Sequence, residues 1–77
     1  MKIISLARMK ADQKGKITEL AGGAELRSKL MNMGIYPGRS VTKIGHLALN
    51  GPITIRCGRS VIALGHGMAN KIKVEIE

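Results

Sequence analysis

The amino-acid sequence predicts a β-rich domain: a small curled sheet of about five short strands, with one helix inserted after the first strand and a short helical turn before the last. Three observations carry this reading. Ten glycines and two prolines cut the 77 residues into short pieces. Several of those pieces alternate apolar and polar residues, the period of a strand with one buried face. Only one piece repeats its apolar residues at helical spacing. A chain of this length is enough for one domain, residues 1–77, and buries only roughly 60% of the surface its unfolded form exposes. With no Phe, no Trp and Tyr36 as the only aromatic, its core must be aliphatic. A thin sheet of this kind is best stabilised by curling into a barrel, which reduces exposed edges.

The elements follow in order. Ile3, Ile4 and Leu6 offer side chains to the core, and Lys10 to Gly15 reads as a polar turn. Lys16 to Leu20 is the first strand, broken by Gly22-Gly23. From Ala24 to Met33, Leu26, Leu30 and Met33 fall at i, i+4 and i+7 and make one apolar stripe, so this is the helix. Glu25 stands in its first turn, where the helix dipole favours an anion. Gly34 is placed to end it in the left-handed conformation, with Ile35 as a hydrophobic seal. Tyr36-Pro37-Gly38-Arg39 is a type II turn, proline presetting φ at its second position and glycine supplying the positive φ of its third. Three strands follow: Ser40 to His46, Pro52 to Cys57 with Ile53, Ile55 and Cys57 on one face, and Ser60 to Leu64. Gly65 to Lys71 fits a single helical turn. Ile72, Val74 and Ile76 alternate with Lys73, Glu75 and Glu77 in a closing strand. The architecture expected is an SH3-like barrel with a helical insertion.

Charge and thiol content narrow the partners. The net charge is +8, and no Asp or Glu occurs from Leu26 to Val74. Arg27, Lys29, Arg39, Lys43, Arg56, Arg59, Lys71 and Lys73 all lie in that stretch. Such a surface attracts nucleic acid, anionic headgroups or an acidic protein face. A single cysteine, Cys57, allows no intramolecular disulfide and fits a reducing compartment. The N-terminal apolar run is too short for a signal peptide, and no apolar stretch approaches the ~20 residues that span a bilayer. The location expected is cytoplasmic, with membrane contact only through a partner.

Leu26-Arg27, Leu30 and then Met33-Gly34-Ile35-Tyr36-Pro37-Gly38 resemble the central signature of the FeoA family of ferrous-iron transport accessory proteins. Val41, Ile44, Gly51-Pro52-Ile53, Ile55, Gly58, Ile62-Ala63-Leu64, Ala69, Ile72 and Val74 follow in the family's order, so the resemblance runs from Gly15 onward. Gly65-His66-Gly67 departs from it, where family members often carry a basic residue. The same SH3-like module resembles the C-terminal domain of metal-dependent repressors of the diphtheria-toxin-repressor class. The resemblance implies a small accessory or regulatory protein of ferrous-iron transport. Its implied partner is FeoB, a membrane iron transporter with a cytoplasmic G domain.

The residues themselves point to binding and not to catalysis. His46, His66, Cys57, Ser60 and Asp12 are scattered, with no nucleophile spaced beside a base, and no phosphate-binding G-x-x-x-x-G-K-[ST] loop occurs. No cofactor is expected. His46, Cys57 and His66 are the weak candidates for ferrous iron or another transition metal, without any CxxC or HxxxH cluster, and Cys57 reads better as the third inward residue of its strand. The candidate partner surface is the basic outer side of the helix, Arg27 and Met31, together with Leu47 and Leu49, with Arg39 and Lys43 on the rim. Leu47 to Pro52 has two readings: the leucines cap the barrel, or the loop tip exposes an apolar patch, which usually marks an interface. A nucleic-acid-binding basic barrel is the alternative function. It lacks the aromatic platforms on which bases stack, so no obligatory nucleic acid is expected. A metal-sensing regulatory module is a third reading, and association of several copies is compatible with all of them.

Overall fold

Alternation of apolar and polar residues becomes a single antiparallel sheet in the computed structural model, which describes residues 1–46 and 51–77. Its strands are β1 (Lys2–Ser5), β2 (Lys14–Leu20), β3 (Ser40–His46), β4 (Ile53–Cys57), β5 (Ser60–Leu64) and β6 (Ile72–Ile76). They lie in the order β1-β6-β2-β3-β4-β5. A 3₁₀ turn (Leu6–Arg8) follows β1, helix α1 (Ala24–Asn32) follows β2, and a four-residue helix α2 (His66–Ala69) precedes β6. The fold is SH3-like, mostly β, with the helix where the sequence places it. The strand not anticipated is β1, which pairs with β6 from Lys2↔Ile76 to Ser5↔Lys73. Its apolar residues are consecutive, not alternating, so the strand period is not visible there.

β2 is the pivot of the sheet. Lys14 to Lys16 pair with β3, whereas Lys16 to Leu20 pair with β6. Lys16 pairs on both sides, and a register shift between Ile17 and Glu19 interrupts the β2–β6 ladder, where a bulge bends and twists its strand. Gly15 sits at the branch because a Cβ there would come within 3.1 Å of the Glu75 carbonyl oxygen.

The core is aliphatic: Leu6, Met9, Ile17, Leu20, Leu30, Ile35, Val41, Ile53, Ile55, Leu64, Ala69, Ile72, Val74 and Ile76. Ile53, Ile55 and Cys57 are all buried, so the face assigned to β4 is correct. The helix stripe needs correction at one end. Leu30 is fully buried and Leu26 packs partly against the core, but Met33 is 37% exposed. The helix ends one residue before Met33, and the chain turns away there. Gly34 has φ 87°. The Ile35 N–H donates to the Leu30 carbonyl (2.9 Å), and the Gly34 N–H donates to the Met31 carbonyl (3.0 Å). This is the Schellman pattern. Ile35, completely buried, takes the place in the core that the spacing assigned to Met33.

Candidate interaction surface

Arg27 and Met31 are four residues apart on α1 and therefore neighbours on one face. Both are exposed, Met31 by 53%, on the flank of the stripe that Leu26 and Leu30 turn to the core. They form one wall of a cleft of about 460 Å³ whose other lining includes Thr18, Leu20 and Pro37. The turn that carries Pro37 is fastened to β2: the Gly38 N–H donates to the Ile17 carbonyl (2.7 Å) and the Ile17 N–H to the Arg39 carbonyl (2.9 Å). Gly38 has φ 93°, and the Arg39 N–H donates to the Tyr36 carbonyl, closing the turn. The cleft is thus held between a helix and a strand, with a rigid turn at one end. Buried Leu20 is among the residues lining it, and Arg27 and Glu19 bring one charge of each sign. The site suits an apolar side chain more than a strong polyanion. Sequence reasoning found Arg27 and Met31 but missed Thr18, Leu20 and Pro37. Their contribution depends on the turn-to-β2 hydrogen bonds, which join distant parts of the chain.

A second cleft of about 560 Å³ opens where β2 leaves β6 for β3. Its lining sets Lys14 and Lys16 against Glu75 and Glu77, so it presents no single sign of charge.

Two of the proposed rim residues are engaged inside the fold. Lys43 is buried, with 1% of its surface exposed, and is no rim residue at all. Its Nζ donates to the carbonyls of Met9 (2.6 Å) and Ala7 (3.1 Å). Its backbone completes the grip: the Asp12 N–H donates to the Lys43 carbonyl and the Lys43 N–H to the Gln13 carbonyl. The sequence hides this because lysine is almost never fully buried and the side chain reads as a surface charge. Burial pushes the Lys43 ammonium below the ordinary lysine pKa. Arg39 is half-buried. Its guanidinium donates to the Gly34 carbonyl (3.1 Å) and the Tyr36 hydroxyl (3.4 Å), and stands 5.3 Å from the Tyr36 ring centre. It also lies against Gly58, where φ is 65° and a Cβ would collide with it. Arg39 therefore joins the end of α1 to the β4–β5 turn.

The proposed metal ligands are not brought together as a trio. His46 pairs with Ile53 at one end of β4, and Cys57 closes the other end. Four residues of strand separate their backbones by about 13 Å. The Cys57 thiol is buried and directed at the Gly34 and Ser40 carbonyls, 3.6 Å from each. His66 opens α2, half-buried. Among the described residues no group of three or more His, Cys, Asp or Glu side chains could hold an ion. The side chain of His46, and both Leu47 and Leu49, lie outside the described residues.

The FeoA domain profile matches residues 4–76. This chain belongs to the FeoA domain family. The family is involved in ferrous-iron transport. A crystal structure of an iron uptake regulatory protein, FeoA, superposes with a TM-score of 0.88 at 31% identity, covering 97% of each chain. An NMR structure of a FeoA-like protein from Clostridium acetobutylicum gives 0.86 at 28% identity, covering 99% of this chain and 88% of that one. A manganese-dependent transcriptional repressor in complex with manganese matches all of this chain with 38% of its own, at TM-score 0.88 and 14% identity. That last likeness is one of fold alone. No curated protein sequence matches the chain. In this FeoA domain, no helix among the described residues is long and apolar enough to cross a membrane.

Proposed function

We propose that this FeoA domain is a cytoplasmic accessory and regulatory component of ferrous-iron transport that acts by binding. Its partner is the cytoplasmic part of a FeoB-like membrane transporter carrying a G domain. The observation that carries this reading is the exposed Arg27–Met31 wall beside the α1–β2 cleft. A soft, adaptable methionine next to a cation is suited to a protein contact. Leu47 and Leu49, which lie outside the described residues, are kept as proposed contacts on the sequence reading alone, and Arg39 supports the cleft from within by fixing the turn that bears Pro37. Binding without catalysis is supported by Cys57, whose thiol is sequestered against carbonyls, and by the distance along β4 between it and His46.

The test is association kinetics of the full chain with the transporter's G domain, with a generic RNA in parallel. Met31→Asp should raise the dissociation rate, because apolar contacts at the centre of an interface supply most of its affinity. Arg27→Glu should slow association and flatten its salt dependence. Leu49→Asp should act like Met31→Asp if the loop takes part. Affinity for RNA that falls steeply with salt and ignores Met31 and Leu49 would replace this reading with a nucleic-acid function. No binding to the transporter by the parent chain would end it.

A further inference from the structure

One edge of the sheet is left without the usual protection. β5 stands last in the strand order and pairs with β4 alone, through five consecutive registered pairs from Ile53↔Leu64 to Cys57↔Ser60. Its outer side therefore presents a row of backbone donors and acceptors without strand partners among the described residues. Natural edge strands are blunted by lysines, prolines, bulges or very short length. The opposite edge, β1, carries one of these, a lysine at its start, Lys2. β5 runs Ser60-Val61-Ile62-Ala63-Leu64 with no charge, no proline and no register shift. Val61 is 60% exposed. Ile62 lies across from fully buried Ile55, yet is itself only half-buried. The inner face is thus incompletely covered at this edge.

We propose that β5 is a docking edge, to which an extended acidic segment of a partner protein adds as a further strand. Strand addition draws affinity from main-chain hydrogen bonds and specificity from alternate side chains. The charge around the edge selects the chemistry. Exposed Arg56 stands directly across from Val61, and exposed Arg59 lies in the turn leading into β5. All five acids lie elsewhere in the chain: Asp12, Glu19, Glu25, Glu75 and Glu77, none on β3, β4 or β5. A second copy is a poor occupant, because it would bring two sets of these arginines together on chains of charge +8 each. The segment that fits alternates apolar residues, to cover Ile62, with acidic residues toward Arg56 and Arg59. This surface is separate from the α1–β2 cleft and does not depend on the identity of the transporter.

The probe is a capped hexapeptide alternating Val and Glu, titrated into the full isotope-labelled chain and read by amide hydrogen exchange and chemical shifts. Two comparison peptides accompany it: one N-methylated at alternate residues, and one with Lys in place of Glu. The expected result is slowed exchange confined to β5, abolished by N-methylation and absent with the Lys peptide. Arg56→Glu combined with Arg59→Glu should weaken the Val–Glu peptide about tenfold and admit the Lys peptide. The exposure of both arginines makes this a variant that keeps the fold, which unchanged shifts elsewhere would verify. Equal binding of the N-methylated peptide would reduce the effect to surface charge and overturn strand addition. Perturbation at the cleft with β5 amides unchanged would overturn the docking edge. Dimerisation in sedimentation, with β5 protected in the absence of peptide, would overturn the acidic segment in favour of a second copy.

Discussion

Lys43 shows how one side chain can reverse its apparent role. With two carbonyls on its Nζ and two backbone hydrogen bonds to residues 12 and 13, it ties the segment after β1 to the middle of the sheet. Lys43→Met keeps the length and removes the donors, leaving the Ala7 and Met9 carbonyls without their partner. It should cost about 1–3 kcal/mol in denaturant unfolding, and a variant as stable as the parent would show those bonds to be incidental. The pH dependence has a defined sign. Burial lowers the folded-state pKa, so between that value and the ordinary lysine value of ~10.4 the unfolded chain binds more protons and stability rises with pH. The stability of the parent relative to Lys43→Met should therefore increase as pH climbs through this alkaline window. A decrease would contradict the burial. Gly38 makes the complementary point. At φ 93°, with nothing within 4 Å of the place a Cβ would occupy, its constraint is backbone conformation alone. Gly38→Val should lose ~1–3 kcal/mol, measurable by thermal melting, without any steric clash to relieve.

At the scale of elements, α1 is legible in its start, its stop and its buried residue, and misread at its last turn. Glu25, Leu30 and Gly34 each carry a local signal. The i+7 position fails because the helix stops at Asn32, so Met33 caps the helix and Ile35 enters the core instead. Leu30→Ala should cost ~2–5 kcal/mol, whereas Met33→Ala, at a position 37% exposed, should cost only about 1 kcal/mol. Chemical denaturation of the pair checks the assignment, and equal losses would put Met33 back in the core. β4 and β6 announce themselves by alternation, and β3 and β5 only by apolar content between turn residues. β1 does not, because Ile3 and Ile4 are adjacent and only Ile4 packs against the core while Ile3 is 63% exposed.

At the scale of the molecule, charge is the dominant global property. A chain of net charge +8 with its acids confined to the two ends of the sequence repels itself when compact. Screening should relieve this, so the melting temperature should rise from low to physiological ionic strength, where the Debye length falls from about 30 Å to about 8 Å. A flat response would mean that the basic side chains are too far apart to interact. The same field speeds encounter with an acidic partner, whether it meets the α1–β2 cleft or the β5 edge, while apolar contacts and main-chain hydrogen bonds set how long it stays.

Alone, the sequence determined the β-rich SH3-like class, the position of the helix, the two left-handed glycines Gly34 and Gly38, the inward set Ile53, Ile55 and Cys57, and family membership. All of these rest on short-range information: residue period, turn chemistry, and motifs in fixed order along the chain. Tertiary structure decided what pairs across long separations. It buried Lys43 against carbonyls 34 and 36 residues away, turned Arg39 inward onto Gly34, and separated Cys57 from His46 along β4. It also brought Pro37 over β2 to close a cleft and left β5 at an open edge. A side chain's period shows which face it takes on its own element. Which backbone receives that face, and whether a charge there meets water or a carbonyl, depends on neighbours that only the folded sheet supplies.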